Sequence, residues 1–309
     1  MRKNVLIFLM ISFLIGFTSC TNEPAESSKW YRGNTHTHAT FSDENDTNDV
    51  PMIASWYEDA GYNFLVLSEH NDHLKEKKIF SHDELSHPPS FLMISGLELS
   101  NSRHHLAFGI NKYIGDETSL QDGVEKTLAA GGIPILNHPQ SPVEKTARIL
   151  AVKGLNHMEI ANGGRPDHIK ASEILWDSLL SAPDGRQIFA VGADDNHYNK
   201  ENVGRAWIMV RAPELTKEAI MDNFRKGNYY VSTGVLLSDY QADNKQITVK
   251  SENGDTIRFI GKYGTILKKI PGKEGSYKIN GDELYVRARI TGSGKSAWTQ
   301  PVFVSQKSN

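Results

Sequence analysis

The chain has 309 residues, and its 34 basic and 37 acidic side chains leave a net charge of −3. No stretch carries a long run of one sign of charge, which argues against a nucleic-acid-binding tract or a polybasic membrane-binding face. The length is sufficient to bury one large core and to add a small second domain.

The N-terminus has the composition of an export signal. Two basic residues precede an apolar stretch from Val5 to Phe17, which is shorter than the roughly 20 residues that a membrane-spanning helix needs. The stretch runs into Phe17-Thr18-Ser19-Cys20, which contains the only cysteine of the chain. This motif resembles the lipobox of bacterial lipoproteins.

The lipobox resemblance implies that residues 1–20 are a lipoprotein signal peptide and that Cys20 is lipidated. Residues 21–29 then form a polar linker. The protein is therefore expected in the cell envelope, anchored to the membrane by lipid and facing the periplasm or the exterior. An ordinary signal peptide that is cleaved near Ser19 is the alternative.

From Trp30 to about Ser232, short apolar runs alternate with helical patterns about seven times. The pattern predicts helices over Pro51–Ala60, Leu120–Ala130, Val143–Lys153, Ala171–Ala182 and Thr216–Lys226, most of them followed by glycine. Such alternation is typical of an α/β domain with a largely parallel sheet. Seven units closed into a distorted (βα)7 barrel fit residues 30–234.

After Gly234 the pattern changes to apolar and polar residues that alternate with a period of two. Turn pairs such as Asn253-Gly254 and Asn280-Gly281 separate the runs. Residues 235–309 are therefore predicted to form a small antiparallel β module, similar to a sandwich. Because this module contains no group of histidines and carboxylates, we expect it to pack against the first domain or to position it. Recognition of the substrate is the alternative.

The predicted strands of the first domain end in residue types that bind metals. Because the carboxyl ends of parallel strands share one edge of a sheet or barrel, these side chains are expected to meet. Histidine and carboxylate ligands together favour Zn, Mn or Fe. The segments involved are His36-Thr37-His38 with Phe41-Ser42-Asp43, Ser68-Glu69-His70-Asn71, Gly96-Leu97-Glu98, His105-Leu106-Ala107-Phe108-Gly109, Asn137-His138-Pro139 and Asp195-Asn196-His197.

In this order, these motifs resemble those of the PHP (polymerase and histidinol phosphatase) superfamily of metallohydrolases. Glu159-Ile160-Ala161-Asn162-Gly163, the run from Gly204 to Gly234 and Ala297-Trp298-Thr299-Gln300-Pro301 resemble its CehA/McbA-like branch. The resemblance implies two to three divalent metal ions. Their ligands would be His36, His38, Glu98 and Asp195 for the first metal, Glu98, His105 and His138 for the second, and Asp43, His70 and His197 for the third.

Several positions stay open at this level. His104 lies beside His105, and only the spacing to Leu106 and Gly109 favours His105 as the ligand. Asp194 is interpreted as a neighbour of the ligand Asp195, although the two could be exchanged. The superfamily usually has Asp-His where this chain has Glu69-His70, so Glu69 is interpreted as a residue that orients a neighbouring histidine. Arginines near the predicted rim, namely Arg103, Arg165 and Arg205, are candidates for binding an anionic group.

The resemblance implies a phosphoesterase in which a metal-bridging hydroxide attacks a small phosphorylated substrate. Glu98, Asp195 and Arg205 are the predicted catalytic residues. One alternative is a hydrolase of carboxylic or carbamic esters from the same superfamily, and another is a catalytically silent, lipid-anchored binding protein. The expected partners are the phosphoester and the membrane, without nucleic acid; the sequence does not indicate an oligomeric state.

Overall fold

A computed structural model describes residues 28–39, 50–73, 79, 90–140, 144–183, 186–197 and 199–304. The predicted lipidation site Cys20 and the predicted ligand Asp43 lie outside these residues. Both therefore stay predictions.

Nineteen strands and five α-helices are present in the described residues. The helices are α1 (Val50–Asp59), α2 (Leu120–Ala129), α3 (Thr146–Leu150), α4 (Ile169–Leu180) and α5 (Lys217–Arg225). The strands are β1 (Lys29–Asn34), β2 (Thr37–His38), β3 (Phe64–Leu67), β4 (Leu92–Leu99), β5 (His105–Phe108), β6 (Ile133–Leu136), β7 (His157–Asn162), β8 (Phe189–Ala193), β9 (Asn196–His197), β10 (Trp207–Ala212), β11 (Tyr229–Ser232), β12 (Leu237–Ala242), β13 (Gln246–Ser251), β14 (Thr256–Gly261), β15 (Thr265–Pro271), β16 (Glu274–Lys278), β17 (Tyr285–Gly292), β18 (Lys295–Thr299) and β19 (Val302–Phe303).

The predicted helices are found at their expected places because local sequence signals start and stop them. The Ser119 hydroxyl accepts a hydrogen bond from the Asp122 backbone N–H at the start of α2, and Thr216 caps α5 in the same way. Gly131, with a φ of 78°, follows the end of α2. The helix α3 is shorter than predicted and contains only Thr146–Leu150.

Most strands belong to one large mixed sheet, which confirms the α/β class but not a regular barrel of seven βα units. Strands β1, β3 and β4 are parallel, and so are β6, β7 and β8. Between these groups, β5 is antiparallel to both β4 and β6. The prediction of a largely parallel sheet fails here because the short connection 100–104 turns β5 straight back along β4.

The sheet curves until β8 lies close to β10 and β11. A Cβ atom built on Gly192 of β8 would lie 2.9 Å from the Trp207 carbonyl oxygen of β10, so only glycine permits this approach. The enclosed core contains fully buried aliphatic side chains from strands on both sides, including Val66, Ile94, Ile135, Val191 and Ile208.

The antiparallel strands predicted after Gly234 are present, but the large sheet runs across the predicted boundary. Strand β11 pairs with β18, with Val231 opposite Trp298. A separate three-stranded sheet, β12-β13-β16, packs on β14 and β17 around a second core that includes Val249, Phe259 and Ile290. The division at residues 234 and 235 stays a prediction.

None of the described helices combines the length and the apolar character that crossing a bilayer requires.

Candidate metal centre

Strand direction brings those predicted site residues that the structure describes to one edge of the sheet. The parallel strands β1, β3, β4, β6, β7 and β8 end at this edge, and the antiparallel strands β5 and β10 begin there. A short parallel pair, β2 and β9, sets His38 beside His197, and their ring centroids are 4.0 Å apart. The edge therefore collects side chains that are far apart in sequence.

Glu98, at the end of β4, lies at the centre of this group and is only 1% exposed. Its Oε2 atom lies 3.2 Å from His36 Nε2 and 3.4 Å from His38 Nε2. The same oxygen lies 3.1 Å from His70 Nδ1. One carboxylate oxygen thus faces three imidazole nitrogens.

The other Glu98 oxygen, Oε1, faces a second set of residues. It lies 3.1 Å from His104 Nδ1 and 3.2 Å from His138 Nε2. It also accepts a hydrogen bond from the Asn137 side-chain amide at 2.8 Å. The two oxygens of Glu98 therefore face two different groups of potential ligands, as a carboxylate that bridges two cations would.

The structure places His104, and not the predicted ligand His105, beside Glu98. His104 occupies that position, whereas the His105 ring points into the protein toward Gly123 of α2. The His105 ring also bonds the Arg103 carbonyl oxygen through Nδ1 at 2.9 Å. Adjacent residues of an extended chain point in opposite directions, so only one of the two histidines can face Glu98.

Asp195 completes the group on its other side. Its Oδ1 atom lies 3.4 Å from His36 Nε2, 3.5 Å from His38 Nε2 and 3.6 Å from His197 Nδ1. The backbone of Asp195 has a φ of 50°, a left-handed conformation that non-glycine residues adopt at a cost and that occurs often at functional sites.

The neighbouring carboxylate, Asp194, has a different role. Its Oδ1 accepts hydrogen bonds from the backbone N–H groups of Arg205 at 2.7 Å and Ala206 at 2.8 Å, and its Oδ2 accepts one from Gly204 at 2.9 Å. Burial raises the pKa of Asp194 to about 6, although these N–H groups oppose the rise. Asp194 thus holds the chain before β10, which leaves Asp195 as the aspartate of the histidine group.

The buried charges of the group stabilise one another. Burial by itself raises the pKa of Glu98, but His36 together with hydrogen bonds from His104 and His138 brings that pKa well below its usual value. Burial also opposes the positive form of His36, yet the charges of Asp195, Glu98 and Glu159 raise its pKa well above the usual value. The carboxylates around His36 therefore favour its protonated form.

Two other imidazoles are kept neutral. Burial lowers the pKa of His38 to about 4. Burial, with a further contribution from His38, lowers the pKa of His70 to about 3. A neutral imidazole carries the free lone pair that a metal ligand needs, so both residues are prepared for coordination near neutral pH.

The donor set fits divalent metal. His36 Nε2 and Asp195 Oδ1 are buried and make no hydrogen bond within the described residues, although buried polar atoms are normally satisfied. Three overlapping groups have ligand atoms that all lie within 4.8 Å of one another. They are His36, His38 and Glu98; His38, His70 and His197; and His70, Glu98 and His104. Mixed nitrogen and oxygen ligation of this kind suits Zn, Mn or Fe.

The structure adds one residue to which no role was assigned from sequence. Glu159, in the middle of β7, is 1% exposed and its Oε1 lies 2.7 Å from His36 Nδ1. All residues of β7 are buried. A glutamate within a buried strand could have indicated this role from the sequence, because a buried carboxylate needs hydrogen-bonding or charged partners.

The three rim arginines and Glu69 differ in what they contact. Arg103 Nη2 donates to the carbonyl oxygens of Asn137 and His138 at 3.0 and 2.9 Å, so Arg103 holds the ligand-bearing loop. Arg165 and Arg205 are exposed, and Arg205 Nη1 lies 3.5 Å from the Gly163 carbonyl oxygen. Glu69 accepts a hydrogen bond from the Ala39 backbone N–H at 2.5 Å, directly after His38.

Comparison with known proteins identifies the fold. No model of a protein family and no curated protein matches the chain. Among solved structures, it is similar to a two-domain protein from Bacteroides vulgatus described as containing a predicted PHP-like metal-dependent phosphoesterase, with 16% identity and a TM-score of 0.50 over 91% of this chain and 96% of that one. It is also similar to an amidohydrolase from Chromobacterium violaceum with bound sulfate and no metal, with 16% identity and a TM-score of 0.42 over 56% of this chain and 89% of that one.

Proposed function

We propose that this protein is a metal-dependent hydrolase of the PHP superfamily, in its CehA/McbA-like branch, that cleaves a small phosphoester. The observation that carries the proposal is the Glu98 carboxylate, whose two oxygens lie within 3.4 Å of five imidazole nitrogens. A buried arrangement of this kind is stabilised by cations rather than by a hydrophobic core. The fold shared with the Bacteroides vulgatus protein supports the assignment.

In the proposed site, Glu98 would be a ligand of two metals. His36, His38 and Asp195 would complete the ligands of the first metal, and His104 with His138 those of the second. His70 and His197 are left for a third metal, together with the predicted ligand Asp43, which lies outside the described residues. When bound, such metals supply Lewis acidity and lower the pKa of an attacking water.

The side chains around the metals supply charge and orientation. Glu98 and Asp195 would offset part of the positive charge of the cations and so reduce the repulsion between them. Arg205, exposed beside Gly163 at the same edge, is the residue that we assign to the non-bridging oxygens of the phosphate. A guanidinium suits this task because it offers two parallel N–H donors to a phosphate.

Location is a further part of the proposal. The lipobox-like motif at Cys20 supports a lipid anchor in the cell envelope, with the hydrolase facing the periplasm or the exterior. The near-balanced charge of the chain, 34 basic against 37 acidic residues, is consistent with a small-molecule substrate.

Metal analysis combined with a substrate screen tests the proposal. The purified protein is loaded with Mn, Zn or Fe, its metal content is measured, and phosphomonoesters, phosphodiesters and aryl esters are offered in parallel. We expect two to three metals per chain and hydrolysis of a phosphoester that Glu98→Gln abolishes. Glu125→Gln, at an exposed position of α2, is the matched control and should retain activity.

Each other outcome has a defined meaning. Less than one metal per chain would refute the proposed centre. Hydrolysis of aryl esters alone would identify a carboxylic or carbamic ester hydrolase. Full metal loading without turnover on any class of ester would favour the silent binding protein.

A further inference from the structure

Glu159 is a buried carboxylate that contacts three separate segments of the candidate metal centre. Its Oε1 lies 2.7 Å from His36 Nδ1. Its Oε2 accepts a hydrogen bond from the His138 backbone N–H at 2.7 Å and another from the Asn162 side-chain amide at 2.9 Å. Both oxygens therefore act as acceptors, and the side chain is 1% exposed.

We propose that Glu159 is a positioning residue that sets the metal affinity of the centre by holding His36, His138 and Asn162 in one arrangement. This inference rests on the proposed function, since it concerns the same metals. It assigns to Glu159 a task that none of the proposed ligands performs, because each ligand would contact a metal, whereas Glu159 contacts His36, His138 and Asn162.

The contact with His36 selects one form of the imidazole ring. A carboxylate only accepts hydrogen bonds, so His36 Nδ1 has to carry the proton that it donates to Glu159. In the neutral ring the lone pair then lies on Nε2, the atom that faces Glu98 at 3.2 Å and Asp195 at 3.4 Å. The ring is thus fixed in the tautomer and orientation that a metal between these carboxylates requires.

The other two contacts act on neighbouring ligands. His138 has a φ of 25°, outside the conformations that most residues prefer. The hydrogen bond from its backbone N–H to Glu159 opposes relaxation of this strained backbone. Asn162 uses the same side-chain nitrogen to reach Glu159 Oε2 and Asp195 Oδ2, the latter at 3.1 Å. Glu159 thereby links ligand segments from β1, β6 and β8.

An amide of the same size cannot replace this carboxylate. Glutamine offers one acceptor oxygen and one donor NH₂ group, whereas the position requires acceptors for three N–H donors. If the amide group faces His36, it donates to Nδ1 and moves the ring proton to Nε2, where metal coordination is blocked. If it faces the other way, it places N–H against the N–H groups of His138 and Asn162.

The test compares Glu159→Gln with Glu173→Gln. Glu173 is also buried and also makes charged contacts, but its partners are Arg287 at 2.9 Å and Arg289 at 2.7 Å, two arginines of β17 and not residues of the candidate metal centre. Metal dissociation constants of the zinc- and manganese-loaded proteins are measured by competition with a chelator. We expect metal binding to weaken roughly 10- to 100-fold in Glu159→Gln and to stay unchanged in Glu173→Gln.

A proton NMR spectrum of the zinc-loaded proteins gives a second readout that a general loss of stability would not change. The His36 Nδ1 proton, bonded to a buried carboxylate, should appear as a strongly downfield imidazole resonance. That resonance should be present in the wild type and in Glu173→Gln, and absent from Glu159→Gln and from His36→Gln.

The possible results separate this inference from the proposed function. A wild type that binds metal, together with a Glu159→Gln variant that binds it equally well, would refute the role of Glu159 and leave the hydrolase proposal intact. If Glu159→Gln fails to fold, Glu159→Asp, which keeps the charge but shortens the side chain, should still bind metal more weakly; wild-type affinity in that variant would also refute the inference. A wild type without metal would refute both.

Discussion

His104 and His105 are adjacent in the chain, yet their rings lie on opposite sides of it. His104 Nδ1 is 3.1 Å from Glu98 Oε1, whereas the His105 ring lies against Gly123 of α2. His105 is fully buried, and burial lowers its pKa. The two residues should therefore respond to substitution in different ways.

Replacing each of these histidines separates a ligand from a packing residue. His104→Gln should weaken metal binding by at least about 10-fold, because even residues that only support a ligand contribute that much. His105→Gln should lower the melting temperature and leave the metal content unchanged. Chelator competition and thermal unfolding check the pair. Metal loss in His105→Gln with full loading in His104→Gln would reverse the assignment.

Glu98→Gln should impair hydrolysis more than Glu69→Gln. The Glu98 charge lies among five imidazoles and is proposed to lie between two cations, which repel one another without it. Glu69 holds the backbone next to His38, a supporting role whose loss costs roughly 10- to 100-fold. The comparison is made on kcat/KM at saturating metal. Equal losses in the two variants would contradict the bridging role of Glu98.

Arg205→Ala tests the substrate class. Losing a charge-assisted contact costs about 1.5–3 kcal/mol, so kcat/KM for phosphoesters should fall roughly 10- to 150-fold while the metal content stays unchanged. Hydrolysis of neutral aryl esters should barely change, because they offer Arg205 no negative charge. Arg225→Ala, which removes another exposed arginine, is the control. Equal loss of both activities in Arg205→Ala would show that Arg205 is structural.

His157 should make the metal-free protein less stable in acid. Burial, against Phe224 and Phe189, lowers its pKa to about 4, whereas the unfolded chain titrates near the usual value of about 6.5. Between these values the unfolded chain binds more protons, so stability falls as the pH falls from about 6.5 to about 4. The contribution lost between pH 7 and pH 5 is about 2 kcal/mol.

His157→Phe removes this titrating group and keeps an aromatic ring in the same place. Its free energy of unfolding, measured with denaturant at pH 7 and pH 5, should fall less on acidification than that of the wild type. The other histidines contribute equally to the pH dependence of both proteins, so their contributions cancel when the two free energies of unfolding are compared at each pH. His36 is one of them, and its raised pKa makes the folded protein more stable in acid. Parallel pH profiles would contradict the assignment.

Cys20→Ser should release the protein from membranes and leave catalysis unchanged. Each CH₂ group of a lipid chain that enters the bilayer contributes about 0.8 kcal/mol, so two or three acyl chains anchor a protein firmly. No proposed ligand depends on Cys20. Fractionation of cells that express either form checks this, and a Cys20→Ser protein that stays in the membrane pellet would argue for another attachment.

The sequence determined by itself which segments form the centre. Short apolar runs that end near His70, Glu98 or Asp195 indicate buried strands, and parallel strands of one sheet end at the same edge whatever their exact register. The helices could also be predicted from the sequence, because Ser119 and Gly131 at the ends of α2 are local signals that depend on nearby atoms alone.

Only the tertiary structure showed which of two adjacent residues faces the candidate metal centre and in which direction each strand runs. Shifting an extended chain by one residue exchanges its two faces, so the choice of His104 over His105, or of Asp195 over Asp194, depends on how the strand ends are placed against Glu98. The antiparallel direction of β5 follows from the short connection after β4. Glu159 acquires its role through His36 and His138, which lie far from it in sequence and meet it only because β1, β6 and β7 belong to one curved sheet.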